Sequence, residues 1–354
     1  MGFEIHTAAG INIGDNSDIK LLKSQKNFVL DFDKSKKYYR NIKTVLALAK
    51  IIRREKYDIV STHSTLAGLI GRLAVMLARN QKIIVIHTSH GYLFNDDKNV
   101  KSSLMIFIEK FLSLRTDALF VMNGEDRQIA EKYKLCRKTE NIRHINGMGI
   151  NAEKLKSDKS NCAELKKYKI PENKKHFLCV GEFSKRKNQK NIIYAFSRFI
   201  HGLPDNLYNT YHLVFIGDGK LFDECGKLCK TLGITGHVTF CGYVGETSAF
   251  YQFLAYCVVS ASEFEGLPFN IMESLYYGKP VIASNVKGHK DLISDGVNGY
   301  LYKYNNPVQL SELFGKITDA DIYADLRENA RLDEKYYFDN VKKYILNCYG
   351  NIHS

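Results

Sequence analysis

The fold of this chain is decided by the stretch Ser262-Glu263-Phe264-Glu265-Gly266-Leu267-Pro268-Phe269-Asn270-Ile271-Met272-Glu273-Ser274-Leu275. The apolar run Cys257-Val258-Val259 before it predicts a covered strand, and Pro268 suits the first turn of a helix, where its missing N–H costs nothing. The sequence therefore places Glu265 in a loop and Glu273 inside a helix.

Two carboxylates and a helix N-terminus meet at this point of the chain. Helical side chains lean toward the N-terminus, so Glu273 is expected to point at the volume that Glu265 and the free amides of residues 266–269 face. Carboxylates accept hydrogen bonds from sugar hydroxyls, and unpaired amides with a helix dipole hold phosphate. The pattern favours a nucleotide sugar as ligand. The simpler alternative is an acidic residue that stabilises a helix N-terminus by about 0.3–1 kcal/mol.

A longer stretch, from Glu265 to Ser284, resembles the signature of the retaining group 1 glycosyltransferases with the GT-B fold. Those enzymes carry two glutamates at this spacing, followed by Gly-x-Pro-Val-Ile-Ala. Gly288, residues 291–293 and residues 295–301 continue the same pattern. The resemblance implies an α/β chain of two doubly wound Rossmann-like domains that face a cleft.

The length of 354 residues, with 45% hydrophobic residues, suits two domains. We expect an acceptor-side domain over residues 1–155, a nucleotide-sugar domain over residues 156–335, and a C-terminal helix over residues 336–354 that crosses back to the first domain. In the first half, strands and helices alternate in the pattern of a parallel, doubly wound sheet.

By resemblance, Glu273 holds the ribose hydroxyls and Glu265 contacts the donor sugar. Tyr243 follows a strand and is expected to pack on the base, although an aromatic residue there is more often part of a core. The predicted donor-binding residues are Glu273, Arg186, Gly217, Tyr243, Gly266, Leu267, Pro268, Phe269 and Asn270.

The loop 181–188 follows a predicted strand and is rich in basic residues. The family places a cation at the position of Lys187, on the donor diphosphate. Negative charge grows on the leaving phosphate as the glycosidic bond breaks, so a fixed cation stabilises the transition state more than the ground state. Lys187 is the first candidate for this catalytic role and Arg186 the second. The alternative is a solvated basic turn.

His90 precedes Gly91 at the end of a predicted strand. In the family, such a histidine reaches the donor sugar, which makes His90 the third predicted catalytic residue beside Glu265 and Lys187. The alternative is a loop histidine satisfied by backbone groups. For His63, at the end of the preceding strand, the two interpretations stay open.

The start of the chain departs from the family pattern. Residues 1–9 resemble the second strand of these enzymes, so the first domain is expected to be N-terminally short. This leaves two alternatives open: a truncated, non-catalytic sugar-nucleotide-binding or scaffold relative, and a sugar-nucleotide epimerase on the same fold. The Glu265 to Glu273 signature disfavours the epimerase, because the epimerases lack it.

The chain has 51 Lys+Arg against 38 Asp+Glu, a net charge of +13. This excess favours an acidic partner, but no nucleic-acid motif is present. Basic residues between positions 34 and 56 surround five apolar positions at helical spacing. Those positions are Ile42, Val45, Leu46, Ala49 and Ile52. Most such helices pack on their own sheet and solvate the other face, and docking on an anionic membrane is the second hypothesis.

Neither a signal peptide nor a membrane-spanning segment is indicated, so we expect a cytoplasmic protein. Peripheral attachment to the inner face of the membrane is a second hypothesis, drawn from the basic helix. Asp31-Phe32-Asp33 is interpreted as a solvated turn, and we predict no metal and no cofactor. By resemblance, the donor is a UDP-sugar, transferred with retention to a lipid-linked saccharide or similar acceptor in capsule, exopolysaccharide or lipopolysaccharide assembly.

Overall fold

The structure is a computed structural model that describes residues 3–10, 24–33, 38–97, 99–156 and 165–353. All strand pairings among these residues are parallel. None of the helices in this part of the chain combines the length and apolar character needed to span a membrane.

The chain divides into two compact units. The first contains Met1–Val121, Asp126–His144 and Ile352–Ser354, and the second contains Met122–Glu125 and Ile145–Asn351. The long segment of the second unit thus begins at Ile145, ahead of the predicted boundary at residue 155. It also takes in most of the C-terminal helix, whose crossing to the first domain stays a prediction.

The first unit is built on two sheets. Strands β1 (His6–Gly10) and β2 (Lys26–Leu30) form a pair, and a four-stranded sheet has the order β3-β4-β5-β6. The strands of this sheet are β3 (Ile59–His63), β4 (Ile84–Ser89), β5 (Ala118–Val121) and β6 (Ile142–His144). The helices are α1 (Asn41–Glu55), α2 (Thr65–Ala78), α3 (Val100–Ser113) and α4 (Gly124–Tyr133, whose first two residues fall in the second unit).

Helix α1 only partly follows the predicted apolar face. Val45, Ala49 and Ile52 are buried against α2 and the sheet, whereas Ile42 and Leu46 are 59% and 50% exposed. Val45, Ala49 and Ile52 thus follow the alternative that this helix packs on its own sheet, whereas Ile42 and Leu46 lie outside the packed face. The reason is geometric, because positions 45, 49 and 52 occupy the centre of one face and 42 and 46 lie beyond its edge.

A buried ion pair connects α2 and α3. Arg72, which is fully buried, donates from Nη1 to Glu109 Oε2 at 2.8 Å and from Nη2 to Glu109 Oε1 at 3.0 Å. Its Nε also donates to the Gly68 carbonyl at 3.0 Å. The guanidinium and the carboxylate thus satisfy each other in the bidentate geometry that makes such pairs strong.

The second unit contains a six-stranded sheet of order β12-β11-β10-β7-β8-β9. Its strands are β7 (Lys175–Val180), β8 (Tyr211–Ile216), β9 (Val238–Phe240), β10 (Ala255–Ser260), β11 (Val281–Ser284) and β12 (Gly299–Tyr302). Its helices are α5 (Ala152–Leu155), α6 (Gln189–His201), α7 (Phe222–Thr231), α8 (Phe269–Tyr276), α9 (Pro307–Lys316), α10 (Ala320–Asn329) and α11 (Phe338–His353).

Aromatic side chains fill the core between this sheet and its helices. Phe177 of β7 lies edge-on to Phe314 of α9, with ring centroids 4.6 Å apart, and it also contacts Phe196 and Phe199 of α6. Such pairs add to the stabilisation from burial. This rigid core holds the carboxyl ends of β7, β8 and β10, where the candidate site lies.

Candidate active site

Glu265 and Lys187 come together because their strands are neighbours. β7 and β10 pair in parallel, so the loops that follow them leave the same edge of the sheet. The Glu263 N–H donates to the Arg186 carbonyl at 2.8 Å and joins the two loops. Glu265 lies in the loop and Glu273 in α8, as the sequence predicts.

One carboxylate faces two cations at this edge. Glu265 Oε1 lies 2.7 Å from Lys187 Nζ and 2.8 Å from Arg186 Nη1. Burial alone would raise the pKa of Glu265, but the charges of Lys187 and Arg186 outweigh it and hold this pKa below its usual range. Glu265 is therefore ionised at neutral pH, and the three groups together keep a net positive charge that suits an anionic ligand.

Glu273 sits in a different environment. It lies within α8 beside the fully buried Tyr251, and burial raises the pKa of Glu273 to about 7. The two glutamates of the signature thus differ in protonation near neutral pH. This difference in environment is typical of functional carboxylates.

Gly217 occupies a site that no side chain fits. Its φ is +130°, and a Cβ there would lie 2.2 Å from the Gly181 carbonyl oxygen. Its N–H donates to the Gly242 carbonyl at 2.8 Å. Gly217 therefore allows the loops after β7, β8 and β9 to approach one another closely, whatever its role toward a ligand.

Replacing Gly217 with alanine is expected to destabilise the protein by roughly 1–3 kcal/mol, because the backbone must shift to remove the clash and adopts a strained φ. Thermal unfolding of wild type and variant measures the effect. Gly226→Ala in α7 is the matched control, since a Cβ there meets nothing within 4 Å. Equal stability of Gly217→Ala and wild type would contradict the close approach.

The remaining predicted donor-binding residues surround this edge. Tyr243 is 81% exposed, so the alternative that it belongs to a core is wrong. Its ring is accessible from solvent. Pro268 precedes α8, whose first-turn amides lack intrahelical acceptors. Leu267 is buried and Phe269 half-exposed, whereas the Asn270 side chain donates to the Val180 carbonyl at 3.2 Å. Asn270 thus supports the loop after β7 through its side chain.

His289 belongs to the site but was not predicted. It is fully buried, and its Nδ1 lies 2.8 Å from the Ser284 carbonyl while its Nε2 lies 3.2 Å from Ser260 Oγ. Burial lowers the pKa of His289 to about 4, so the neutral ring donates from Nδ1 and accepts at Nε2. Ser284 Oγ donates in turn to the Ser262 carbonyl at 2.6 Å. This network fixes the loop that carries Glu265.

His90 lies in the first unit and pairs there with His63, whose role the sequence left open. His63 ends β3 and His90 follows β4, and because these strands are paired, His63 Nδ1 lies 3.2 Å from His90 Nε2. Burial and the charge of His63 lower the pKa of His90 to about 4. Two neutral imidazoles therefore share one hydrogen bond at neutral pH.

No group of three or more His, Cys, Asp or Glu side chains among the described residues is arranged to hold a metal ion. The chemistry available at the second-unit site is electrostatic: two cations and backbone amides for phosphates, and carboxylates for hydroxyls.

Comparison with known proteins identifies the chain as a glycosyltransferase with the GT-B fold. The family "Glycosyl transferases group 1" matches residues 162–333, and "Glycosyltransferase Family 4" matches residues 24–146. The putative glycosyltransferase EpsD of Bacillus subtilis is 31% identical over 306 residues, which cover 86% of this chain and 77% of that protein. The chain therefore belongs to the group 1 glycosyltransferases.

Two further relatives extend the comparison. An Escherichia coli UDP-Gal:alpha-D-GlcNAc-diphosphoundecaprenol alpha-1,3-galactosyltransferase is 27% identical over 86% of this chain and 77% of its own length. The structure of Anabaena HepE in complex with UDP-glucose superposes with a TM-score of 0.76 at 17% identity, covering 97% of this chain and 91% of that chain. At this identity the superposition shows the shared fold.

Proposed function

We propose that this glycosyltransferase transfers a hexosyl group from a UDP-sugar, with retention, to a lipid-linked saccharide in the assembly of a cell-surface polysaccharide. The observation that carries the proposal is the convergence of Lys187, Arg186 and Glu265 at the carboxyl ends of β7 and β10, where the loop with Glu265 leads into α8, the helix that carries Glu273. Diphosphate and sugar hydroxyls match these groups. The names of the relatives, with UDP and diphosphoundecaprenol, support the choice of donor and acceptor.

In the proposed reaction, the cations serve the leaving group. Breaking the bond between the anomeric carbon and the diphosphate leaves negative charge on the phosphate, which Lys187 and Arg186 stabilise. Glu265 orients both cations through its ion pairs and accepts hydrogen bonds from the sugar. The leaving phosphate takes the proton of the acceptor hydroxyl on the same face, so no protein base is required and the configuration is retained.

The other predicted residues complete the donor site. Glu273 accepts hydrogen bonds from the ribose hydroxyls, and Tyr243 covers the base. The phosphates and the sugar lie along Gly217 and along the backbone amides of Gly266, Leu267, Phe269 and Asn270. His90 remains the predicted contact to the donor sugar. The two cations at the site support a reaction that needs no metal. We further propose that it takes place at the cytoplasmic face of the membrane that would hold a lipid-linked acceptor.

Calorimetric titration with UDP and UDP-sugars in the presence of a chelator tests the donor assignment. We expect micromolar binding without metal. Nuclear magnetic resonance of the product formed with a lipid-linked acceptor then reports the anomeric configuration. No binding by a folded sample would overturn the donor assignment, and an inverted product would overturn retention. Binding without turnover, in either donor hydrolysis or transfer, would favour the non-catalytic alternative.

The affinity for a UDP-sugar is expected to fall as the pH is lowered through about 7, the pKa to which burial raises Glu273. Only the ionised carboxylate accepts hydrogen bonds from both ribose hydroxyls, so its protonation at lower pH weakens binding. Well below the pKa, the affinity is expected to fall about tenfold per pH unit. A UDP-sugar is the proper probe, because its diphosphate diester does not titrate in this range. Calorimetry between about pH 5.5 and pH 8, from roughly one and a half units below neutrality to one unit above it, measures the effect.

Glu273→Gln is the matched variant for this prediction. It keeps the shape of the side chain and removes its titration, so we expect weaker binding that no longer depends on pH. Glu273→Ala is expected to bind more weakly still. Equal affinity of Glu273→Ala and wild type for UDP would contradict the ribose contact, and an unchanged pH profile in Glu273→Gln would assign the titration to another group.

A further inference from the structure

Helix α3 is apolar on both of its faces although it lies at the surface. Its inner side packs through Leu112, Met105 and Ile106 against the core beneath. Its outer side carries five more apolar side chains, which are between 49% and 86% exposed: Val100, Leu104, Phe107, Phe111 and the adjoining Leu114. A helix with apolar side chains on both faces is normally buried on both, yet within the described part of the chain this outer stripe is exposed.

The stripe is continuous. Its residues follow one another at intervals of four, three, four and three, which places them on one line along the helix, about 21 Å long at 1.5 Å per residue. Scattered exposed apolar residues are ordinary on protein surfaces, but a contiguous line with two exposed phenylalanines marks an interaction surface.

The charges on this outer face have one sign. Lys101 and Lys110 are exposed, and Lys110 Nζ lies 3.1 Å from the carbonyl of the exposed Lys134. The only acidic residue of α3 is Glu109, which is buried and paired with Arg72. The outer face therefore combines apolar side chains with cations and presents no carboxylate.

The neighbouring helices extend the same composition. α1 packs against α2, and α2 contacts α3. The connections from β3 to β4 and from β4 to β5 step in one direction across the sheet, so right-handed crossovers place α2 and α3 on the same face. α1 exposes Ile42 and Leu46 beside Lys43 and Lys50.

We propose that the outer face of α3 docks the enzyme on an anionic lipid bilayer, with the apolar stripe in the interface and Lys101 and Lys110 among the headgroups. This proposal rests on the proposed function only in that a lipid-linked acceptor resides in a membrane. A bilayer offers both an apolar interior and anionic headgroups, which together match this face. A second copy matches it less well, because two such faces bring the lysines of α3 together and α3 itself supplies no exposed carboxylate to pair with them.

Sedimentation of the full chain with vesicles tests the proposal, with no acceptor lipid present. We expect binding to vesicles of phosphatidylglycerol in phosphatidylcholine, and much weaker binding to phosphatidylcholine alone. The double variant Phe107→Ser/Phe111→Ser is expected to need at least about tenfold more anionic lipid for half-maximal binding, because two rings no longer enter the interface. The neutral replacement leaves the charge unchanged. Both rings are exposed, so the fold is retained.

The matched control is Phe253→Ser/Tyr194→Ser, which removes two exposed rings from the second unit. It is expected to bind vesicles like wild type, and all variants are expected to bind UDP-sugar equally. Equal vesicle binding by the α3 variant and wild type would overturn the proposal, as would no binding by wild type. A wild-type dimer that the α3 variant converts to a monomer, without vesicle binding, would assign the face to a second copy. Vesicle binding without transfer would count against the proposed function alone.

Discussion

Lys187→Ala is expected to lower kcat about 10²–10³-fold, the usual cost of removing one fixed charge from a developing anion. The affinity for the UDP-sugar is expected to change by less than about tenfold, because Arg186 is retained as the second cation of the site and the ground state carries less charge on the leaving oxygen. Single-turnover rates and calorimetric affinities, measured on the same protein, separate the two effects. The larger change must appear in the rate if Lys187 stabilises the leaving phosphate.

Lys185→Ala is the matched control for this experiment, since Lys185 is exposed in the same loop and forms no described contact with Glu265. It tests whether any loss of charge near the site slows the reaction. If Lys187→Ala lost affinity by the same factor as it lost rate, Lys187 would be a binding residue that stabilises the ground state and the transition state equally. An unchanged rate would remove it from the catalytic machinery.

Much of the second-unit site was predictable from the sequence, because its residues are marked locally. Glu265 and Glu273 lie in one short stretch whose loop and helix are set by Pro268, and Lys187 follows an apolar strand and a glycine. Parallel strands deliver such loops to one edge of a sheet. What the sequence did not show is that Glu265 already pairs with both Lys187 and Arg186, since that depends on β7 and β10 being neighbours.

Other residues become part of a site only through tertiary structure. His289 joins the ends of β10 and β11, and nothing in its own surroundings in the sequence marks it as a buried neutral ring. His63 meets His90 because β3 and β4 pair with His63 opposite Thr88. The sequence offered one signal for this pair, because His63 in Ser61-Thr62-His63 and His90 each stand at the end of a predicted strand. That signal left the role of His63 open.

The outer surface of the first unit was the least predictable part. The apolar positions of α1 recur at helical spacing, yet Ile42 and Leu46 are exposed while Val45, Ala49 and Ile52 are buried. In α3, apolar residues occur on every side, so periodicity alone does not tell which face meets the sheet. Only the burial of Leu112 and the packing of Met105 and Ile106 show which stripe is left exposed.

Glu109→Ala is expected to destabilise the first unit by about 3–5 kcal/mol, because it leaves the fully buried Arg72 guanidinium without its counter-charge. Thermal unfolding is the measurement, and since the chain has two units, the transition of the first unit is followed by hydrogen exchange in α2 and α3. UDP affinity at low temperature is expected to stay at the wild-type value, because the predicted donor-binding residues lie in the second unit.

The double variant Arg72→Met/Glu109→Leu separates the cost of an unpaired charge from the loss of the pair. Two apolar side chains of similar length fill the same space without leaving any buried charge, so the double variant is expected to be more stable than Glu109→Ala and close to wild type. This ordering follows only if desolvation of Arg72 dominates the energetics. A double variant as unstable as Glu109→Ala would instead mean that the hydrogen bonds from Arg72 to Glu109 and to the Gly68 carbonyl themselves hold α2 against α3.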